Sequence, residues 1–379
     1  MKKILVYYYN EEVELQSTNS VARLIASMIN YLQDIYEVTY FTFKPHTQQN
    51  SANAKQIFID IPKSYRLQRK INNALQFKRM HWFDLKKKAV RDFVKKDKTQ
   101  YDTVLVLGLD DVKAMRHYFP GAKILYWIHN ISAICKKEYL YNVNDADYFL
   151  SPSRTTYHLL LQKLQPVPLS AEFYFVPNWC EDVFKQRNEV LINSLKALHS
   201  ITSETIVFIF SGSDIKLKGR FILEKAIRKI SVQQGKDVLF FFAGSDNKKG
   251  IYNLGNIRVT DVGLLQPDTL AAYYQIAMFG CFTSLGYDHC PLTLLEMVHC
   301  NVLPIASDMG GVKEILGSGH QFLIKEPHSV TAWVNHIQKA IDFNEDERMQ
   351  QLIPLKERVI TIYNRNAAIE IFENILQSE

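Results

Sequence analysis

Cysteine is scarce and poorly spaced for cross-linking. The five residues, Cys135, Cys180, Cys281, Cys290 and Cys300, are odd in number and contain no CxxC pair. A disulfide scaffold and a cysteine-based zinc site are therefore excluded, and a reducing, intracellular setting is the expectation. Long apolar runs are also missing. The longest uncharged stretch, Thr269 to Tyr287, holds Gln275, Thr283 and Ser284 and is interrupted by Gly280. It is expected to form a buried helix followed by a strand, not a membrane span. The first residues run from two lysines straight into ILVYYY, without the longer apolar core and small-residue cleavage site of an export signal. Short repeats and low-complexity tracts are absent. What remains is 379 residues, 47% hydrophobic and 22% charged, the composition of a soluble globular protein long enough for two domains.

The apolar residues come in short runs separated by helix-periodic stretches. Ile4 to Tyr9, Val38 to Phe43, Asp102 to Gly108, Lys123 to His129 and Asp147 to Ser153 read as strands, with helices at Val21 to Leu32 and around Val112 to Tyr118. The cycle restarts at Glu204 to Gly212 and continues with Asp237 to Gly244, Ile257 to Gly263, Gly280 to Ser284 and Val302 to Ser307. Near-continuous apolar strands alternating with helices imply parallel sheets covered on both faces, hence two doubly wound α/β domains. The ligand of such a fold is expected in a cleft outside the carboxyl ends of the strands.

One segment breaks the rhythm. Between Lys63 and Lys98 there are thirteen Lys or Arg against three Asp, a local +10 in a chain whose net charge is +6. Tyr65, Phe77, Trp82, Phe83 and Phe93 are interleaved with these charges. A solvated helical face is one reading; a surface that docks on anionic lipid headgroups is another. No nucleic-acid-binding signature accompanies the charge, so a nucleic-acid partner is not expected.

The stretch from Ser284 to Ile315, SLGYDHCPLTLLEMVHCNVLPIASDMGGVKEI, carries the most chemistry. A strand ends at Ser284, a loop holds Asp288, Pro291 stands where a helix begins, and Glu296 lies five residues into that helix. A helix start of this kind turns unpaired N–H groups toward the loop, which suits a phosphate. Asp288 and Glu296 flank it, and carboxylates there are suited to accept hydrogen bonds from sugar hydroxyls and from a ribose.

These residues resemble the large retaining glycosyltransferase family with the GT-B fold, the GT4 group. Its pattern E-G-x-P-x-x-L-L-E followed by a strand and G-G-x-x-E is matched by Asp288-His-Cys-Pro291-Leu-Thr-Leu-Leu-Glu296 and then by Gly310, Gly311 and Glu314. Ser211 to Gly219 is similar to the family's G-R-x4-K-G element, Phe175 to Phe184 to its interdomain V-I-P-N-G-V-D-x-x-F, Asp145 to Thr156 to A-D-x-V-I-x-x-S, and Tyr126 to Asn130 to the strand whose terminal His faces the donor sugar. The departures are Asp for the first Glu, His289 for the following Gly, Ser213 for the Arg, and EEVELQSTNS (Glu11 to Ser20) where the family has Gly-Gly after the first strand.

The resemblance implies a GT-B architecture of two Rossmann-like domains facing across a cleft. Residues 1–183 would form the acceptor-side domain, with the C-terminal helix in 360–379 returning to it, and 184–359 the nucleotide-sugar domain. It implies Lys218, Asp288 and His129 as catalytic residues. Donor binding would fall to Glu296, Ser213, Gly212, His289, Cys290, Pro291, Leu292, Thr293, Gly244 and Leu264. No metal and no cofactor is implied, the nucleotide-sugar being a substrate. The acceptor would be a glycan or lipid-linked molecule in cell-surface polysaccharide or lipopolysaccharide assembly, with the protein cytoplasmic or peripheral on the cytoplasmic membrane face through 63–98. Each role has a plainer alternative. For Lys218 it is an exposed first-turn lysine, although a cation there opposes the helix dipole unless an anion is bound. For Asp288 it is a helix cap and for His129 a core histidine, whereas Glu296 in an apolar helix is costly to bury without partners. Asp145 and Asp147 form a D-x-D that precedes a strand and reads as a loop and cap feature, not a metal site. A catalytically weak relative serving as a binding or partner subunit, an epimerase and a phosphorylase are the competing functional classes.

Overall fold

A computed structural model of the chain describes residues 1–9, 13–15, 17, 19–43, 54–60, 85–129, 137–212, 216–244 and 250–378. They divide into two compact units, Met1–Leu150 with Leu160–Tyr174, and Ser151–Leu159 with Phe175–Glu379. Through its seventh strand the chain runs β1 (Lys3–Tyr7), α1 (Ser20–Leu32), β2 (Glu37–Thr42), β3 (Ala54–Phe58), α2 (Leu85–Lys96), β4 (Thr103–Val106), α3 (Leu109–Tyr118), β5 (Lys123–Trp127), the short α4 (Lys137–Leu140), β6 (Tyr148–Ser151), α5 (Arg154–Leu164) and β7 (Glu172–Phe175), which make up the first unit except that Ser151–Leu159, with the start of α5, and Phe175 group with the second. The first sheet has the order β3-β2-β1-β4-β5-β6-β7, with parallel pairing from β3 through β6. Residues of α1 follow the 3.6 period, so Leu24, Ile25, Met28, Ile29 and Leu32 are buried along its length. Asn19 caps the helix by accepting from Ala22 N at 3.0 Å.

The second unit opens with α6 (Glu189–Leu198) and continues β8 (Thr205–Ser211), α7 (Arg220–Ile227), β9 (Asp237–Ala243), β10 (Gly250–Leu254), β11 (Ile257–Gly263), α8 (Pro267–Ile276), β12 (Phe279–Phe282), α9 (Leu292–His299), β13 (Leu303–Ser307), α10 (Val312–Leu316), β14 (Leu323–Ile324), α11 (Val330–Asp342), α12 (Glu345–Ile362) and α13 (Arg365–Gln377). The order is β10-β11-β9-β8-β12-β13-β14, parallel except for the β10–β11 hairpin. Phe208 stacks on Phe240 with ring centroids 4.5 Å apart and on Phe279 at 5.2 Å, joining β9, β8 and β12 through one aromatic layer. Burying each such ring stabilises the sheet by roughly 1.5 to 3 kcal/mol, which is why these strands read as unbroken apolar runs.

The expected strands and the two-domain α/β architecture are present. Four short strands, β3, β7, β10 and β14, escape a reading by apolar runs because each is an edge strand or lies next to one. Grouped by contacts, the second unit takes up the chain again at Phe175 and includes α13. Hydrogen bonds tie it there. Val176 N donates to Ser151 O, Asn178 Nδ2 to Cys290 O at 2.9 Å, and Cys300 Sγ to Phe184 O at 3.3 Å. Among the described residues four cysteines are free and buried, and no helix is long and apolar enough to cross a membrane.

Candidate active site at the strand switch point of the second unit

In the second sheet the chain winds outward from β8 to β9 in one direction and then returns to lay β12 on the other side of β8. The carboxyl ends of β8 and β12 therefore flank the point where the strand order reverses, the position at which open α/β sheets leave a crevice. Lys218, on the turn after β8, and Asp288, on the loop after β12, meet there. The lysine Nζ donates to Asp288 Oδ2 at 2.9 Å, both side chains partly exposed, and Nζ lies 5.4 Å from the centroid of Phe282.

Glycines let these loops approach. A Cβ on Gly244 would lie 2.7 Å from Gly212 carbonyl atoms, and Gly244 has φ of +102°, so the ends of β8 and β9 touch backbone to backbone. A Cβ on Gly219, φ +70°, would lie 2.1 Å from Thr283 O. Thr283 Oγ1 in turn donates to Lys218 O, and Leu285 N to Leu217 O at 2.9 Å. Gly212, Gly244, Lys218 and Asp288 are thus gathered on backbone that has little freedom to move. Ser213 lies outside the described residues.

The double glycine of the following turn supports the Asp288 side. Gly311 N donates to Asp288 O at 2.8 Å, and a Cβ on Gly311 would stand 1.6 Å from His289 O. Glu314, the acid of that turn, holds the start of α5. It accepts from Ser153 Oγ at 2.7 Å, Arg154 N at 2.9 Å and Thr155 N at 2.6 Å, which satisfies donors that a helix start leaves open and complements its dipole. His289 is 6% exposed, with Nδ1 2.7 Å from Thr156 Oγ1, and burial pushes its pKa down to about 4, so the imidazole is neutral near pH 7.

The remaining predicted positions fall into distinct environments. Pro291 is the N-cap of α9 with no side-chain capping bond, so Asp288 does not cap this helix and its carboxylate is committed to Lys218. Cys290, Pro291 and Leu292 have buried side chains, Thr293 is half-buried and Leu264 is 45% exposed. Glu296 is 3% exposed, and its charge helps to raise the buried Cys180 and Cys300 thiols, whose chief influence is burial. His129 lies two residues past the end of β5 in the first unit, half-buried with its ring 4.3 Å from that of Trp127. In the D-x-D pair, Asp147 pairs with Arg116 at 2.6 Å and accepts from Ile124 N at 2.7 Å, a loop lock, while Arg116 Nε donates to Asp145 O at 3.0 Å. No metal-binding group of side chains occurs among the described residues.

The basic segment is only partly described, and Trp82 and Phe83 lie outside the described residues. Within α2, Lys86 is buried with Nζ 3.7 Å from the Phe43 ring centroid, and Lys87 pairs with Asp110 and with Asp111 at 3.2 Å. Two of the three lysines expected to face headgroups are therefore turned into the first unit; Lys88, Lys95, Lys96 and Lys98 are exposed.

Two features were not read from sequence. Thr156 reaches His289 of the 283–291 loop across 133 positions, and Ser153, within the stretch likened above to A-D-x-V-I-x-x-S, reaches Glu314 across 161; neither partner is marked locally. At the switch between β1 and β4, the fully buried Asp111 accepts from Tyr9 Oη and Arg91 Nε, each at 2.9 Å. Burial raises its carboxyl above the ordinary range, against the opposing influence of Lys87 and Arg91. The Asp110-Asp111 pair just after the Asp102 to Gly108 run was the available signal.

The chain is similar to a sucrose-phosphate synthase from Thermosynechococcus elongatus (TM-score 0.75, 17% identity, 100% of this chain and 99% of that one). It is also similar to an α,α-trehalose-phosphate synthase (UDP-forming) from Burkholderia vietnamiensis (0.75, 12%, 100% and 97%), and to Anabaena HepE, solved in complex with UDP and glucose (0.70, 13%, 99% and 99%). This is the GT-B fold of glycosyltransferases. Residues 193–354 match the family described as glycosyl transferases group 1. No curated protein matches the chain in sequence.

Proposed function

We propose that the chain is a retaining glycosyltransferase that moves a sugar from a UDP- or GDP-sugar to a glycan or lipid-linked acceptor in bacterial cell-surface polysaccharide or lipopolysaccharide assembly. The observation that carries this reading is the Lys218–Asp288 pair at the strand switch point of a group 1 domain. In the transfer the bond between the anomeric carbon and the diphosphate oxygen breaks, a bond to the acceptor oxygen forms on the same face, and the acceptor proton leaves toward the diphosphate. Charge builds on the leaving group. Lys218 and the first N–H groups of α9 stabilise it from fixed positions, without a metal. Asp288 and the loop amides orient the sugar, while Glu296 accepts from the ribose hydroxyls. Gly212 and Gly244 leave room for the diphosphate, with Ser213, Leu264 and the 289–293 backbone completing donor binding. The contact of His129 with the sugar rests on the resemblance alone. A lipid-linked acceptor at the cytoplasmic membrane face accords with the exposed Lys88, Lys95, Lys96 and Lys98 of α2 and its end.

A thermal-shift screen against UDP- and GDP-sugars tests the donor. A ligand at roughly 100 times its dissociation constant adds about 2.7 kcal/mol of apparent stability, a readily measured rise in melting temperature. Absence of any rise with every nucleotide-sugar tried rejects the reading. Product NMR with the donor that binds reads retention directly, and an inverted anomer rejects that part.

A further inference from the structure

We propose that Thr156 and His289 are positioning residues that hold Asp288 in its donor-binding place, an inference that rests on the reading of the 283–291 loop as the donor loop. The loop is gripped from two sides. On one, Gly310 and Gly311 press against the backbone of Asp288 and His289, with Gly311 N bonded to Asp288 O. On the other runs a continuous set of hydrogen bonds. Ser153 Oγ donates to Glu314 and accepts from Thr156 N at 3.2 Å, and Thr156 Oγ1 meets His289 Nδ1 at 2.7 Å. Thr156 is fully buried and His289 nearly so. The other ring nitrogen, Nε2, is buried and finds no partner among the described residues, so the threonine hydroxyl is the single polar tether of the imidazole there.

That tether matters because of what stands beside it. Asp288 is the preceding residue, and its carboxylate reaches Lys218 only while the loop backbone keeps its course. A glycine at 289, as in the pattern this loop resembles, has no side chain to anchor. Histidine supplies an anchor, and burial keeps it uncharged at neutral pH, so the tether is a neutral hydrogen bond that salt does not screen. Removing the hydroxyl leaves a desolvated imidazole with no partner, and the loop relieves this by turning the ring toward water, carrying Asp288 with it.

The test compares Thr156→Val, which keeps the shape and removes the hydroxyl, with Thr156→Ser, which keeps the hydroxyl. Amide hydrogen exchange over residues 283–291 is read without ligand, and UDP-glucose and GDP-mannose affinities are read by calorimetry well below the melting temperature. The expected result is faster loop exchange and roughly five- to fiftyfold weaker donor binding in Thr156→Val. Thr156→Ser should stay within about threefold of the parent. Unchanged loop exchange in Thr156→Val overturns the proposal whatever the donor does. Faster exchange with unchanged donor affinity, or equal loss in both variants, reduces the pair to a structural role and overturns it as well. A parent that binds neither nucleotide-sugar counts against the functional reading, and with no donor to position it overturns this assignment too, even where exchange shows the loop tethered.

Discussion

Replacing Gly311 by Ala isolates the geometry of the candidate site from its chemistry. The backbone there has φ −82° and ψ 2°, which alanine adopts freely, so the substitution introduces a methyl group and no backbone strain. That methyl carbon would stand 1.6 Å from His289 O, whereas real Cβ atoms essentially never come closer than 3.0 Å. The carbonyl must therefore withdraw by at least the difference, 3.0 − 1.6, about 1.4 Å. Its withdrawal stretches the 2.8 Å bond from Gly311 N to Asp288 O and draws the carboxylate off Lys218. Overpacking of this size costs roughly 1 to 3 kcal/mol of stability. Misplacing a reacting group by about 1 Å costs on the order of 10² in rate, so turnover should fall about a hundredfold while the melting temperature falls by a few degrees. Gly319→Ala is the control, since nothing lies within 4 Å of its added Cβ. Sugar transfer and donor hydrolysis are measured beside thermal melts. Parental turnover in Gly311→Ala, or a loss that Gly319→Ala shares, refutes the placement of Asp288 in the donor site.

Lys218→Ala should reduce turnover by on the order of 10² to 10³, more than it raises the donor Michaelis constant, because diphosphate charge grows toward the transition state; a raised Michaelis constant with unchanged turnover would make the lysine a plain binding group. Chelators should leave the parent rate unchanged, and strict manganese dependence would return attention to Asp145 and Asp147. Glu296→Gln should weaken nucleotide binding by roughly 1 to 3 kcal/mol with the fold retained; unchanged affinity by calorimetry removes it from the site. Arg220, 1% exposed, pairs with the fully buried Asp261 at 2.6 Å and lies over Phe242, so Arg220→Ala should cost roughly 3 to 5 kcal/mol in denaturant melts through the uncompensated carboxylate it leaves. Burial lowers both His289 and His299 from 6.5 to about 4. The unfolded chain then takes up protons first as pH falls, so stability drops from about pH 6.5 toward pH 4; a flat melting temperature between pH 7 and about 5 would show these histidines protonated in the fold.

Much of this protein is written locally. Apolar runs such as Val38 to Phe43 and Asp237 to Gly244 state parallel strands because both faces of each are covered, and α1 announces itself through its period and its Asn19 cap. The order of Asp288, Pro291, Leu294, Leu295, Glu296, Gly310 and Gly311 carries the resemblance that implied the fold, and Pro291 marks a helix start locally, whereas Gly310 and Gly311 answer a close approach to Asp288 and His289 some 22 positions away. The Gly255-Asn256 turn of the β10–β11 hairpin, with φ +62° at the glycine, was equally local and went unread. What sequence separation hides, the tertiary structure decided. Lys218 finds Asp288 across 70 positions, Glu314 grips α5 from about 160 away, and Thr156 tethers His289 across 133. The basic row is sorted the same way: Lys86 and Lys87 look like surface charge, yet Phe43, Asp110 and Asp111, brought in by the sheet order, draw them inward. Strand and helix follow from neighbours along the chain, but the partner of a charge depends on which strand is laid beside which, and that is set only when the whole sheet closes.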